Sequence, residues 1–318
     1  MHGRLGRVTR WLLPLLLVPL LTACGSSVIT VVGNEFDQQV PAINRTMVAW
    51  EDYRNIDAGG GVDVYARDMT STPGSETLIA GGPGDQGQPT VSDQYIVWVD
   101  NGNAIRARPR NGGSVLNVAV GNGDKFDPAV CGSLVVWTVT QNGNTDIYGR
   151  DLAGGQAFPI ANTPAIEAYP DCDGNRVVYM STGTTTGADI SMFDRTTGAT
   201  TPVSTQPWHE WRPAISGNRV VWQALASADT GIDLLGVDLS TGTPFTVTTA
   251  VGDQTMPDIS GTLVVWQDGQ GAVWSRDLAG GTPSPVAMGG TGAAQVSGRS
   301  VVWQQQQNGS WDILMKNL

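Results

Sequence analysis

Pro257-Asp258-Ile259-Ser260-Gly261-Thr262-Leu263-Val264-Val265-Trp266 decides the fold: a proline, a short segment, a Ser-Gly turn, and an apolar run ending in an aromatic. Glycine supplies the positive φ that a tight hairpin turn needs, so the stretch reads as two paired strands. The apolar run recurs as Val48-Ala49-Trp50, Ile96-Val97-Trp98, Val135-Val136-Trp137, Val177-Val178-Tyr179, Val220-Val221-Trp222 and Val301-Val302-Trp303. Together the seven copies are spaced 48, 39, 42, 43, 44 and 37 residues apart. Nine residues before the aromatic stands Pro41, Pro89, Pro128, Pro170, Pro213 or Pro257, and in the last copy Ala294.

Downstream of the aromatic comes a second β-rich run, as in Asp63-Val64-Tyr65, Asp146-Ile147-Tyr148, Asp189-Ile190, Asp233-Leu234 and Asp312-Ile313. A further Asp often follows five residues later: Asp68, Asp151, Asp194 and Asp238. A third run, such as Thr77-Leu78-Ile79 or Pro244-Phe245-Thr246-Val247, completes four short strands without helical periodicity. Units of about 40 residues with four strands each are propeller blades. The seventh unit reaches Leu318 after its third strand, while Val28-Ile29-Thr30-Val31-Val32 belongs to no complete unit. Placing that run as the outer strand of blade seven closes the ring and leaves no open sheet edge. The expectation is an all-β, seven-bladed propeller of four-stranded blades.

The proline, small-residue turn, Val-Val-Trp and Asp-Ile-Tyr with its following Asp resemble the TolB-type propeller repeat, which is also found in bacterial cell-surface proteins. The resemblance covers residues 28–318. TolB itself has six blades after an α/β domain, so the likeness implies the fold here and not the partners of TolB.

At the N-terminus, Arg4, Arg7 and Arg10 precede an apolar run from Trp11 to Leu21 that is broken by Pro14 and Pro19. The run is too short to span a bilayer and reads as the core of a signal peptide, residues 1–23. Leu21-Thr22-Ala23-Cys24-Gly25 resembles the lipobox of bacterial lipoproteins, which implies a lipidated Cys24. Residues 24–27 then form a short tether to the propeller at 28–318. Loss of the signal segment leaves 15 basic residues against 29 acidic, a net charge of −14. Nucleic acid is therefore excluded as a partner, because it needs a basic surface. The expected location is extracytoplasmic, held to the cell membrane or outer membrane through the lipid on Cys24. Cys131 and Cys172 remain as an even pair in an oxidising compartment, and a bridge between them is a possibility left open here.

Candidate site residues gather in the segments leading from the outer strand of one blade to the inner strand of the next, all on one face at the channel mouth. Asp37, Asp85, Asp124 and Asp253 stand four residues before their prolines. They can attract a cation or basic ligand, or cap turns by binding backbone N–H groups. Blade five alone has Trp208, His209, Glu210 and Trp211 there, a candidate stacking site. Tyr53 and Arg54 belong to the longest and most charged loop between second and third strands, on the same face. The tether, about 10 Å at full extension, places the opposite face toward the membrane.

Catalysis has little to build on. His209 is the one histidine beyond the signal segment, and no Gly-x-Ser-x-Gly elbow occurs, so neither a multi-histidine metal centre nor a hydrolase nucleophile is expected. No cofactor or metal is expected. The reading is a non-catalytic binding or scaffold protein for an envelope protein, peptide or glycan. The alternative is a carbohydrate-active enzyme, a glycosidase or lyase, using carboxylates on the channel face.

Overall fold

The computed structural model describes residues 27–71, 75–183, 187–227 and 231–318. They form seven four-stranded antiparallel sheets in chain order, each running from an inner strand at the channel to an outer strand at the rim. Blade one, for example, consists of Gln38–Asn44, Met47–Asp52, Asp63–Asp68 and Thr77–Ala80. Blade seven takes Thr291–Ser297, Ser300–Gln307 and Ser310–Asn317 from the C-terminal end and Ile29–Val32 as its outer strand. That closing strand pairs Ile29 with Met315 and Thr30 with Leu314, so the ring closes as a seven-bladed propeller. Cys24 and the signal segment lie outside the described residues.

The Val-Val-Trp run is apolar throughout because both of its faces are buried. Val135 and Trp137 pack against Val97, Val99 and Ile105 of blade two, whereas Val136 packs against Cys172, Val177 and Tyr179 of blade four. The aromatic wedges into the preceding blade in six copies, from Trp50 against Val302 and Ile313 to Trp303 against Val265, and all seven are buried. They are the core and are not available to stack a ligand.

A second device joins blades at the rim. Arg67 Nη1 on the third strand of blade one donates to Val31 O of the closing strand at 2.7 Å. Arg108 reaches Leu78 O, Arg150 reaches Asn117 O and Val118 O, and Arg276 reaches Thr246 O and Val247 O. Each lies opposite the first residue of the repeated apolar triplet, Val48, Ile96, Val135 or Val264. Each clamps the outer strand of the blade before it. At the inner strands, Cys131 and Cys172 are bridged between blades three and four, 41 residues apart with Cα atoms 5.9 Å apart. Closing a loop of that size stabilises by about 4 kcal/mol in the chain-entropy account.

The prolines do something unexpected. A residue before proline normally takes an extended conformation. Here Val40, Gln88, Asp127, Tyr169, Arg212 and Met256, with Ala293 before Ala294, all have φ between 43° and 55°. The ladder skips at this point in every inner strand, for example between Gln39 and Ala42, so the strand bulges and bends around the axis. Val40 bears the largest strain, because its branched Cβ crowds the following carbonyl in a left-handed conformation. Val40→Asn is expected to raise stability by about 1 kcal/mol in urea unfolding. An unchanged or lower midpoint would show that the bulge carries no strain there.

Candidate functional site

The inner strand of each blade runs away from the face where the connections from the preceding outer strand arrive, and the loops between second and third strands share that face. It is the channel mouth. Asp37 Oδ1 accepts the N–H of Trp311 at 2.9 Å, Asp85 Oδ1 that of Val62 at 3.1 Å, and Asp253 Oδ1 that of Ile232 at 3.1 Å. Each bond crosses to the preceding blade, at the start of its third strand. These three carboxylates therefore seal seams between blades and do not cap their own turns. Asp124 occupies the same position in blade three and is exposed, as are Asp85 and Asp253.

Tyr53 and Arg54 are also tied into the fold. Tyr53 donates through its hydroxyl to Glu51 Oε2 at 3.1 Å, and Glu51 Oε1 accepts the N–H of Gln88 from blade two at 2.7 Å. Burial, with Glu51, Asp37 and Asp85 nearby, pushes the Tyr53 hydroxyl well above its ordinary range. Arg54 chelates Asp52 at 2.7 and 2.6 Å, reaches Glu76 at 2.8 Å, and lies 4.1 Å above the Tyr65 ring. Among the described residues, the other basic side chains on this half of the ring are held as well. Arg106 pairs with Asp100, Lys125 Nζ donates to four carbonyls at 2.9 to 3.1 Å, and Arg212 stacks 4.5 Å from the Tyr169 ring centroid. The mouth is left acidic.

The blade-five cluster does not form one surface. Trp211 packs with Ala168, Met180 and Ala188, whereas Trp208 joins a separate cluster with Val178, Ile190 and Trp222. His209 is exposed beside Gly187. Glu210 is fully buried; its Oε1 accepts Ser204 Oγ and Trp222 Nε1, each at 2.9 Å. Burial raises its carboxyl above the usual range, and the bonds from Ser204 and Trp222 oppose this.

Sequence reasoning overlooked two groups. The residue three before the proline is polar and buried in every blade: Gln38, Gln86, Lys125, Glu167, Glu210, Gln254 and Thr291. Its constancy was readable from the same alignment that gave the prolines. The second group lines the channel, a space of about 390 Å³: Asp127, Tyr169, Asp171, Arg212, Met256 and Asp258. Asp171 accepts the N–H of Ile215 at 2.8 Å and Asp258 that of Val296 at 2.6 Å. Burial pushes Asp171 up to about 6, and burial together with the Asp171 charge pushes Asp258 up to about 7. Charged residues flanking the prolines were the available signal.

The fold defines the class: a seven-bladed β-propeller of four-stranded antiparallel blades, an architecture it shares with TolB-type propellers. No family model matches the sequence, and no curated protein does. Solved structures do. An oligogalacturonate lyase in complex with manganese is similar over 93% of this chain and 94% of its own, at 11% identity and a TM-score of 0.71. The β-propeller domain of the Trilobed protease from Pyrococcus furiosus, described as having an open velcro topology, covers 88% of this chain and 95% of its own at 11% identity, with a TM-score of 0.71. TolB from Acinetobacter baumannii is 17% identical over 72% of this chain and 60% of its own, with a TM-score of 0.51. At these identities the likeness is one of fold.

Proposed function

We propose that the chain is a lipid-anchored, extracytoplasmic propeller that binds an envelope protein or peptide at its channel mouth without catalysis. The observation that carries this reading is the composition of the mouth. Val251, Met288 and Val120 project from the connecting segments at 88%, 65% and 60% exposure, among the exposed Asp85, Asp124 and Asp253. Apolar side chains grouped with unneutralised carboxylates favour a partly apolar, basic polypeptide over a glycan. The anchor rests on the Leu21 to Gly25 motif, and no helix among the described residues is long and apolar enough to cross a membrane.

The closing strand begins at Ile29 opposite Met315, near the end of blade seven's third strand and away from the mouth. A lipid on Cys24 therefore holds the far face toward the bilayer and leaves the mouth free. Cys24→Ala is expected to move the protein from the membrane to the soluble fraction. Membrane-bound protein cross-linked in intact cells should lose its main partner when Val120, Val251 and Met288 are all replaced by Ser. Retention of the variant at the membrane refutes the anchor, and an unchanged cross-linking pattern refutes the mouth.

The second reading, a carbohydrate-active lyase, is favoured by the fold likeness to the oligogalacturonate lyase. That protein is described in complex with manganese; here, among the described residues, no three His, Cys, Asp or Glu side chains group to hold a metal ion. Unsaturated products released from oligogalacturonates would establish this reading over the first.

A further inference from the structure

The seam between blades four and five lacks the arginine clamp. Val237 stands opposite Val220, at the register where blades one, two, three and six carry Arg67, Arg108, Arg150 and Arg276. Valine cannot reach across to the outer strand of blade four, Ala199–Pro202. What remains is a cleft of about 530 Å³ walled by Pro202, Val203, Trp208, Leu235, Val237 and Phe245. Blade four also lacks the arginine, but there Phe193 takes its place and packs against the core shared with blade three. Blade seven keeps a basic residue there, Lys316 opposite Val301, so among the described residues blade five combines a lost clamp with an open cleft.

Glu210 lies at the base of this cleft. Blades one, two and six have glutamine at the same position, and its amide donates to the carbonyl two residues earlier: Phe36 O at 2.8 Å, Gly84 O at 3.1 Å and Gly252 O at 3.2 Å. A carboxylate cannot make that donation. Glu210 Oε1 is satisfied by Ser204 and Trp222, whereas the fully buried Oε2 has only the Trp208 indole N–H near it, and neither that N–H nor Oε2 completes a hydrogen bond of ordinary geometry. A buried carboxylate oxygen left without a donor costs free energy that a bound cation recovers. In blades one and two the glutamine Oε1 is likewise buried without a partner, whereas in blade five the oxygen belongs to a carboxylate that lines an open cleft.

We propose that this seam is a binding site for an organic cation on an apolar stem, as the side chain of arginine or lysine from a partner polypeptide presents. The cation supplies the donor that Oε2 lacks, the faces of Trp208 and Phe245 attract it, and the stem lies along Leu235 and Val237. The ligand stands in for the clamp arginine that the blade does not carry. The inference holds whether or not the chain is lipid-anchored.

Because the ring is complete within residues 29–317, the test uses residues 27–318. Ligand-observed NMR and calorimetry would follow n-butylguanidine and n-pentylamine, with n-hexanol as the neutral control. The cations should bind at least tenfold more tightly than the alcohol. Glu210→Gln installs the residue of three other blades, so it should stay folded and weaken cation binding at least tenfold. Val237→Arg should fill the cleft from within, abolish binding, and raise Tm by about 2–4 °C. Equal binding of the alcohol, cation binding unchanged in Glu210→Gln or Val237→Arg, or no binding by the parent protein would each overturn the proposal.

Discussion

A chain beginning at residue 36 should melt about 10 °C below the full ring and lose its single sharp transition. Trimming removes Val31 and Val32, which are 1% and 4% exposed and pack with Val48, Trp50 and Ile313 across the seam between blades seven and one. Each buried valine contributes roughly 1.5–2 kcal/mol. The loss also strands Arg67, which clamps Val31 O, and removes Asn34, whose carbonyl accepts Ser310 Oγ at 2.9 Å. A total near 5 kcal/mol, at about 2 °C per kcal/mol for a domain of this size, gives the expected shift. The exposed edge of Ser310–Asn317 would also invite pairing between molecules. Calorimetry and light scattering on the two forms decide it, and superimposable melting curves would refute ring closure as a source of stability.

The architecture was legible because its signal is local and repeated. Val-Val-Trp, with proline nine residues earlier, states in one short stretch that a strand is buried on both faces and that a tight hairpin precedes it. The closing role of Val28 to Val32 followed from counting strands. The arginine clamps were not legible, since Arg67 and Val31 are 36 residues apart and blades four, five and seven break the pattern with Phe193, Val237 and Lys316. Nor was the bulge before each proline, because local sterics favour the opposite conformation and only the curvature of the ring selects the left-handed one.

The candidate site was read less well for a related reason. Asp37, Asp85 and Asp253 looked like turn caps or ligand groups when each was considered in its own blade. Their hydrogen bonds go to a neighbouring blade that the sequence does not place beside them. Trp208 and Trp211 looked like one patch because they are close in the chain. They join different clusters against blade four, and only Trp208 shares the cleft with Glu210, which becomes visible only once Val237 is seen facing the outer strand of blade four.

The channel makes a final expectation: the protein should be more stable at pH 5 than at pH 7.5. Asp171 and Asp258 have folded-state values of about 6 and about 7, above the ordinary 3.8, because burial disfavours their charged forms. For a group raised in the folded state, the stabilising effect is complete below 3.8 and is lost as pH rises through 6 to 7. One unit is worth about 1.4 kcal/mol, so the pair should add roughly 3 kcal/mol between pH 7.5 and pH 5 once the water in the channel is allowed for. Glu51, Asp127, Glu167 and Glu210 are raised by burial too and act in the same direction.

The gain ends below pH 4, where Asp151 begins to lose its own charge and with it the bonds that favour the carboxylate. Ser133, the Ala153 N–H and Arg195 hold that carboxyl at about 2, so its contribution is present above 3.8 and lost as pH falls toward 2. Asp68, Asp194, Asp238 and Asp277 are lowered likewise by hydrogen bonds to hydroxyl and backbone groups. Stability should therefore peak between pH 4 and 5. Asp171→Asn with Asp258→Asn keeps an oxygen to accept from Ile215 and Val296 and removes the titration, so at least half of the rise in urea midpoint from pH 7.5 to 5 should disappear. A midpoint that falls over that range in the parent, or rises as steeply in the double variant, would mean that the channel carboxylates are not what couples this ring to pH.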